Sequence, residues 1–188
     1  MNEAADNLLK RWQPYFEEGA KFHGWLSPGF VLGVIMVDLA KELLGDRDLI
    51  DAVVETKACI PDAVQLMTSC TYGNGWMRVK DWGRLALTLY DKNNFEGIRV
   101  YVDHKKITRY PVIEKWLMKT ADPDKNEVTR EIIRAERDII SWQKVKVAPY
   151  KKPRKAPPVV CKSCGESYTL GGSELCVRCS GKDDYYQT

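Results

Sequence analysis

Four cysteines near the end of the sequence constrain what this chain can fold into more than any other feature. They form two Cys-x-x-Cys pairs, Cys161 with Cys164 and Cys176 with Cys179, with eleven residues between the pairs. Two such pairs can place four thiolates tetrahedrally around one ion, which is the arrangement of a structural zinc site. Because protein ligands fill all four positions, we expect this zinc to be structural rather than catalytic. An iron–sulfur centre and a redox dithiol pair are the alternatives.

This cysteine-rich stretch is predicted to be a separate folding unit. About 30 residues cannot bury enough apolar surface to fold alone, and metal ligation can contribute on the order of 10 kcal/mol. The stretch before it, PYKKPRKAPP, holds four prolines and four basic residues in ten and is typical of an extended, solvated tether. We therefore predict a domain at residues 1–148, a basic proline-rich linker at 149–158 and a four-cysteine zinc ribbon at 159–188.

The N-terminal domain is predicted to be α+β, with helices packed on an antiparallel sheet. Ser27 followed by Pro28 fits the cap and first turn of a helix that continues to about Leu44. That helix is apolar nearly all round, as buried helices are. Alternating apolar residues in 84–91 and 97–103, with a turn between them, predict an antiparallel hairpin.

Charge and composition argue against several classes of function. The net charge is only +3, so we do not expect nucleic acid as a partner. No apolar run approaches the roughly 18 residues needed to span a bilayer, and the N-terminus lacks the pattern of a secretory signal. We expect a cytoplasmic protein without a membrane partner. Six tryptophans and nine tyrosines favour a homodimer, since these residues are enriched at interfaces.

Two further segments carry the candidate ligand site. HGWLSPGFVLG begins at His23, and CIPDAVQLMTSCTYGNG begins at Cys59. Together they hold both remaining cysteines and one of the chain's two histidines. We predict that they fold against each other and form a cleft whose candidate residues are His23, Trp25, Ser27, Cys59, Asp62 and Cys70.

The residues of these segments carry a family resemblance. FHGWLSPGFVLGVIM, VETKACIPDAVQLMTSCTYGNG and KDWGRLALTLYD resemble the FmdE family of formylmethanofuran dehydrogenase proteins. The family pattern is His-Gly-His-x-Cys-Pro-Gly-x-x-x-Gly, followed by Glu-x-x-x-Cys, Asp-Ala-x-Gln and Gly-Cys-x-x-Gly-x-Gly. The match covers roughly residues 18–120, and a C-terminal four-cysteine finger is an appended module in many members.

The resemblance implies a metal or ligand site made from the histidine segment and the two later cysteines. Here the matching positions are His23, Cys59 and Cys70, with Asp62 and Gln65 on the intervening helix. Two positions depart from the pattern, since Trp25 replaces the second histidine and Ser27 replaces a frequent cysteine.

Those two replacements leave the nature of the cleft open. Three protein ligands and a water would make an open zinc site, and hence a second metal. A pocket with a free thiolate is the alternative. Trp25 could instead form a flat apolar wall for a ring-shaped ligand, and Ser27 can cap the helix that follows it.

The resemblance implies an accessory subunit, or a stand-alone relative, of molybdenum or tungsten formylmethanofuran dehydrogenase in one-carbon metabolism. In that complex other subunits carry the redox centres. This sequence shows neither a ferredoxin-like cysteine run nor a dinucleotide fingerprint, so we expect no catalysis by this chain alone. Its implied partners are the other subunits of the enzyme.

Two other functions compete with that interpretation. One is a zinc-ribbon regulator or adaptor that senses a small molecule or metal and docks on nucleic acid or protein. The other, ranked last, is an enzyme with Cys59 or Cys70 as the nucleophile and His23 as the base.

Overall fold

The computed structural model describes residues 3–150, 157–169 and 173–182. The chain divides into two compact units, Met1–Ala148 and Pro149–Thr188. Most of the predicted linker, residues 151–156, lies outside the described residues. Among the described residues, no helix combines the length and apolarity that crossing a bilayer requires.

The first unit contains six α-helices and five strands in the described residues. The helices are α1 (Glu3–Phe22), α2 (Pro28–Leu44), α3 (Ile60–Met67), α4 (His104–Ile107), α5 (Pro111–Met118) and α6 (Lys125–Ala135), which continues as a 3-10 turn, Glu136–Ile139. The strands are β1 (Ile50–Val54), β2 (Met77–Val79), β3 (Ala86–Asp91), β4 (Glu96–Val102) and β5 (Ile140–Lys146). In the second unit, β6 (Val159–Val160) and β7 (Ser167–Tyr168) form a short antiparallel hairpin.

The five strands of the first unit form one mixed sheet in the order β2-β1-β3-β4-β5. The predicted hairpin is confirmed as β3 and β4, in which Leu89 lies opposite Ile98. The sheet is not antiparallel throughout, because β2 runs parallel to β1, with Met77 beside Ala52. The cause is α3, a crossover helix that returns the chain to the same end of the sheet, as parallel pairing requires. The α+β class is confirmed, with this one correction to the sheet.

Helix α2 forms the centre of the core, and nearly all of its side chains are buried. A Cβ atom on Gly33 would lie 2.8 Å from the Cβ of Ala63, and one on Gly29 would lie 2.9 Å from the Sγ of Cys59. The two glycines therefore let α3 pack unusually close to α2. Because both contacts advance in the same direction along the two helices, α2 and α3 run parallel and their N-termini lie at the same end.

A buried carboxylate joins α2 to its neighbours. Asp38 accepts hydrogen bonds from Arg11 Nε at 2.6 Å, Trp12 Nε1 at 2.9 Å and Arg137 Nη2 at 2.7 Å. Two cations and an indole N–H thereby compensate a charge that would be costly to bury alone. The network links the middle of α1 to α2 and to the 3-10 turn, so it holds these three elements together.

Candidate functional site: a four-cysteine cluster and a polar cleft beside helix α3

The four C-terminal cysteines come together in the structure. Their Sγ atoms all lie within 4.8 Å of one another, and those of Cys164 and Cys176 are 3.9 Å apart. A tetrahedral ion with metal–sulfur bonds of about 2.3 Å would separate its sulfurs by roughly 3.8 Å. The cluster therefore has the dimensions of a tetrahedral metal site.

Each cysteine pair lies in a tight turn that aims backbone amides at sulfur. Gly165 N–H donates to the Cys161 carbonyl at 2.9 Å, and Ser180 N–H donates to the Cys176 carbonyl at 2.9 Å. The first turn ends in a positive φ of 76° at Gly165, a conformation that glycine adopts without strain. Cys176 N–H in turn donates to Cys161 Sγ at 3.4 Å. Backbone amides of Cys164 and Cys176 lower the pKa of Cys161 to about 6. The backbone amide of Glu166 lowers the pKa of Cys164, but the neighbouring Cys161 thiol and burial outweigh it, so that pKa is raised.

In the first unit, His23 pairs with Asp62. The loop after α1 carries the histidine, whose Nδ1 lies 2.7 Å from Asp62 Oδ2 in the first turn of α3. The imidazole also stacks on Phe30, with ring centroids 5.5 Å apart. Gln65 donates to the other Asp62 oxygen at 3.4 Å and accepts from Tyr72 N–H at 3.1 Å. A chain of polar contacts therefore runs from the histidine along α3 to the loop before β2.

Ser27 and Cys59 meet where α2 and α3 begin. Ser27 Oγ accepts from Phe30 N–H at 3.1 Å, which confirms the predicted cap, and it donates to Cys59 Sγ at 3.5 Å. Cys59 precedes α3 with a positive φ of 51°, a conformation that costs a non-glycine residue about 1 kcal/mol or more. Gly29 leaves the space that the thiol occupies. Two helix N-termini thus surround these side chains with partial positive charge.

The structure does not bring Cys70 to this place. Its buried Sγ donates to the Ile50 carbonyl at 3.5 Å, and burial raises its pKa to about 11. Cys59 precedes α3 and Cys70 follows it, so a helix of eight residues, about 12 Å long, separates them. Trp25 lies in the loop before α2 with half of its surface exposed.

The open zinc site, one of the alternatives that the sequence left open, is therefore not assembled from His23, Cys59 and Cys70. In the described part of the chain, the C-terminal cysteines are the one group of three or more His, Cys, Asp or Glu residues close enough to share an ion. Of the residues predicted for the cleft, His23 contacts Asp62 and Ser27 contacts Cys59, whereas Cys70 packs in the core.

A cavity of about 390 Å³ lies on the neighbouring face of α3. Its lining residues are Lys57, Pro61, Gln65, Tyr72, Met77 and Val79. Sequence reasoning missed five of these, namely Lys57, Pro61, Tyr72, Met77 and Val79. The signal that could have found them is a strand–helix–strand crossover, which tends to place ligand pockets beside the ends of its parallel strands. Recognising it required the parallel pairing of β1 and β2, which the sequence did not predict.

Known proteins provide an independent comparison. A protein-family model described as "FmdE, Molybdenum formylmethanofuran dehydrogenase operon" matches residues 22–148. The crystal structure of a tungsten formylmethanofuran dehydrogenase FmdE-like protein from Syntrophus aciditrophicus is similar, with a TM-score of 0.82 and 40% sequence identity. That similarity covers 93% of this chain and 95% of the other.

A curated relative extends the comparison to a longer protein. A probable S-adenosyl-L-methionine-binding protein of Archaeoglobus fulgidus is 28% identical over 192 residues, covering 88% of this chain and 52% of the relative. The chain thus spans about half the length of that relative. The family match extends over most of the first unit, and the structural likeness extends over nearly the whole chain. The chain belongs to the FmdE family.

Proposed function

We propose that this chain is a zinc-binding accessory protein of the FmdE family, either a subunit or a stand-alone relative of a molybdenum or tungsten formylmethanofuran dehydrogenase. The observation that carries the zinc assignment is the cluster of four sulfurs, all within 4.8 Å of one another. Four thiolates that can surround one ion tetrahedrally suit zinc, and they leave no open coordination position for substrate. The zinc therefore stabilises the C-terminal unit, where Cys161, Cys164, Cys176 and Cys179 would hold it.

The N-terminal unit has a different role in this proposal, which is to bind a small ligand beside α3. The converging N-termini of α2 and α3 favour a negatively charged or strongly polar ligand group. Ser27 and Cys59 offer a hydroxyl and a thiol there, and the His23–Asp62 pair lies beside them. Since no three His, Cys, Asp or Glu side chains of this region lie close enough to share an ion among the described residues, we assign the cleft to an organic ligand.

S-adenosyl-L-methionine is the ligand we would test first. The name of the Archaeoglobus relative motivates the choice, and the cavity beside α3 has chemistry that suits it. Tyr72 exposes 73% of its surface and offers a ring for stacking on a base. Met77 and Val79 provide an apolar wall. Lys57, whose Nζ lies 2.9 Å from Asp81, provides a cation that a ligand carboxylate can share.

The metal proposal is tested by elemental analysis of the purified full-length chain. We expect about one zinc per chain in the wild type, as one four-ligand site requires, and loss of that zinc in Cys176→Ser. Cys70→Ser is the matched control, because this thiol contacts a backbone carbonyl instead of the cluster. Iron in place of zinc, or equal loss in both variants, would refute the assignment.

The ligand proposal is tested by calorimetric titration of S-adenosyl-L-methionine into the wild type, Tyr72→Ala and Trp82→Ala. Both side chains are exposed aromatics, and Trp82 does not line the cavity. We expect saturable binding that weakens roughly tenfold in Tyr72→Ala alone, the size of one lost stacking contact. Equal affinity in all three proteins would remove the cavity from the proposal.

The choice between subunit and stand-alone protein is tested by affinity purification from the source cells. Co-purification of a protein that contains molybdenum or tungsten would identify a subunit. Recovery only as copies of this chain would identify the stand-alone relative, with the homodimer that the sequence predicts.

A further inference from the structure

A second cavity lies far from the cleft, at the opposite end of α2. Its volume is about 460 Å³, within the range of small-molecule sites. The floor includes Leu43 and Leu44 from the last turn of α2 and Ile98 from β4. The 17 residues of α2 place about 25 Å between this groove and the helix N-terminus. We call it the α2–β5 groove, and it shares no lining residue with the cavity beside α3.

The rim of the α2–β5 groove is mainly cationic. Lys144 and Lys146 line it from β5, and Arg47 lines it from the loop after α2. The β4–β5 register places Lys144 beside Ile98, and Lys146 beside Glu96, the one carboxylate of the lining. Within the described part of the chain, neither lysine forms an ion pair. Their charges are therefore available to a ligand.

We propose that the α2–β5 groove binds an amphipathic carboxylate. The hydrocarbon chain lies against Leu43, Leu44 and Ile98, where burying apolar surface is favourable. The carboxylate lies on the β5 side, between Lys144 and Lys146. The partial negative charge at the C-terminal end of α2 disfavours an anion near Leu44, which is why the head group belongs with the strand. A smaller cavity of about 140 Å³ shares Leu44 and Arg47 with the groove, and together the two volumes can accommodate a chain of several carbons.

Edge protection is the competing explanation for these lysines. β5 is an edge strand of the sheet, and lysines on edge strands discourage pairing with a second molecule. That role needs no ligand and no apolar floor. The two explanations predict different consequences when the charges are removed, namely weaker ligand binding or increased self-association.

The test is calorimetric titration of the full chain with octanoate, acetate and 1-octanol. We expect saturable binding of octanoate, much weaker binding of the other two, and weaker octanoate binding at high salt. The double variant Lys144→Gln/Lys146→Gln should bind octanoate roughly fivefold more weakly, the effect expected of two exposed ion pairs. Leu43→Gln should also weaken binding, because it places a polar amide in the apolar floor of the groove.

The matched control is Lys10→Gln/Lys115→Gln, which removes two exposed charges elsewhere on the surface. It should bind octanoate as the wild type does. The proposal is overturned if octanol binds as tightly as octanoate, or if the wild type shows no saturable binding. It is also overturned if Lys144→Gln/Lys146→Gln keeps its octanoate affinity, whether or not it self-associates; self-association with unchanged affinity would establish edge protection instead.

Discussion

The buried carboxylate of Asp38 provides the sharpest test of how the N-terminal unit is held together. Asp38→Asn preserves the size of the side chain but removes its charge and replaces one acceptor oxygen with a donor. In the wild type, one oxygen accepts from Arg11 and the other accepts from Trp12 and Arg137. An amide cannot accept from all three, so at least one donor faces an NH₂ group in the variant.

The magnitude follows from the exposure of the partners. The Asp38 side chain is 7% exposed, and removing one member of a buried ion pair costs about 3–5 kcal/mol. Arg11 is 44% exposed and can be solvated, and Arg137 keeps its bond to Glu42 at 2.8 Å. Both circumstances reduce the loss. We therefore expect Asp38→Asn to lower the free energy of unfolding by about 2–3 kcal/mol, at or below the lower end of that range.

Urea denaturation followed by circular dichroism measures this loss, and Glu42→Gln is the control. Glu42 contacts the same two arginines, but its side chain is 48% exposed, so its contribution should be about 1 kcal/mol or less. Equal losses for the two variants would refute the reasoning, because burial would then not determine the cost. A loss below about 1 kcal/mol for Asp38→Asn would refute it as well.

Three further predictions concern the helices that build the cleft. Gly33→Ala should lower the free energy of unfolding by about 1–3 kcal/mol through overpacking, because the new Cβ would lie 2.8 Å from that of Ala63. Adding Ala63→Gly should restore part of this loss, as measured by urea denaturation, and no restoration would contradict the close contact. Ser27→Ala should cost about 1 kcal/mol through loss of the α2 cap, whereas Ser27→Asn, which can cap, should cost less. Burial raises the pKa of Cys70 from 9.0 to about 11, so between these pH values the unfolded chain loses the thiol proton and the folded chain retains it. The free energy of unfolding should therefore fall from pH 9 to pH 11. The fall should be shallower in Cys70→Ala, and identical pH profiles would exclude this thiol as a cause.

Local chemistry explains which parts of the fold could be predicted from sequence. Ser27 caps α2 because its side chain needs only an amide three residues away. The β3–β4 hairpin followed from alternation and a turn, which are also short-range signals. The cysteine spacing predicted a cluster, because each pair lies in one tight turn. Within the cap, the hairpin turn and each cysteine pair, the interacting atoms are only a few residues apart along the chain.

The lining of the cleft could be predicted only in part. The structure shows two pair contacts among the predicted residues, His23 with Asp62 and Ser27 with Cys59, which span 39 and 32 residues. Cys70 does not join them. The eight residues of α3 lie between the two cysteines and hold them apart, and the partner of the Cys70 thiol, the Ile50 carbonyl in β1, is visible only in the structure.

Sequence alone was enough for the family, the α+β class, the buried character of α2 and the grouping of four cysteines. The three-dimensional structure was needed to show that β2 runs parallel to β1, that Gly29 and Gly33 bring α3 against α2, and that two helix N-termini meet at Cys59. It was also needed to identify the partners of Asp38 and the two cavities, one beside α3 and one at the C-terminal end of α2. The physical reason is that capping, turns and periodicity are properties of neighbouring residues. Strand direction, helix contact and cavity lining depend instead on how distant segments share the same core.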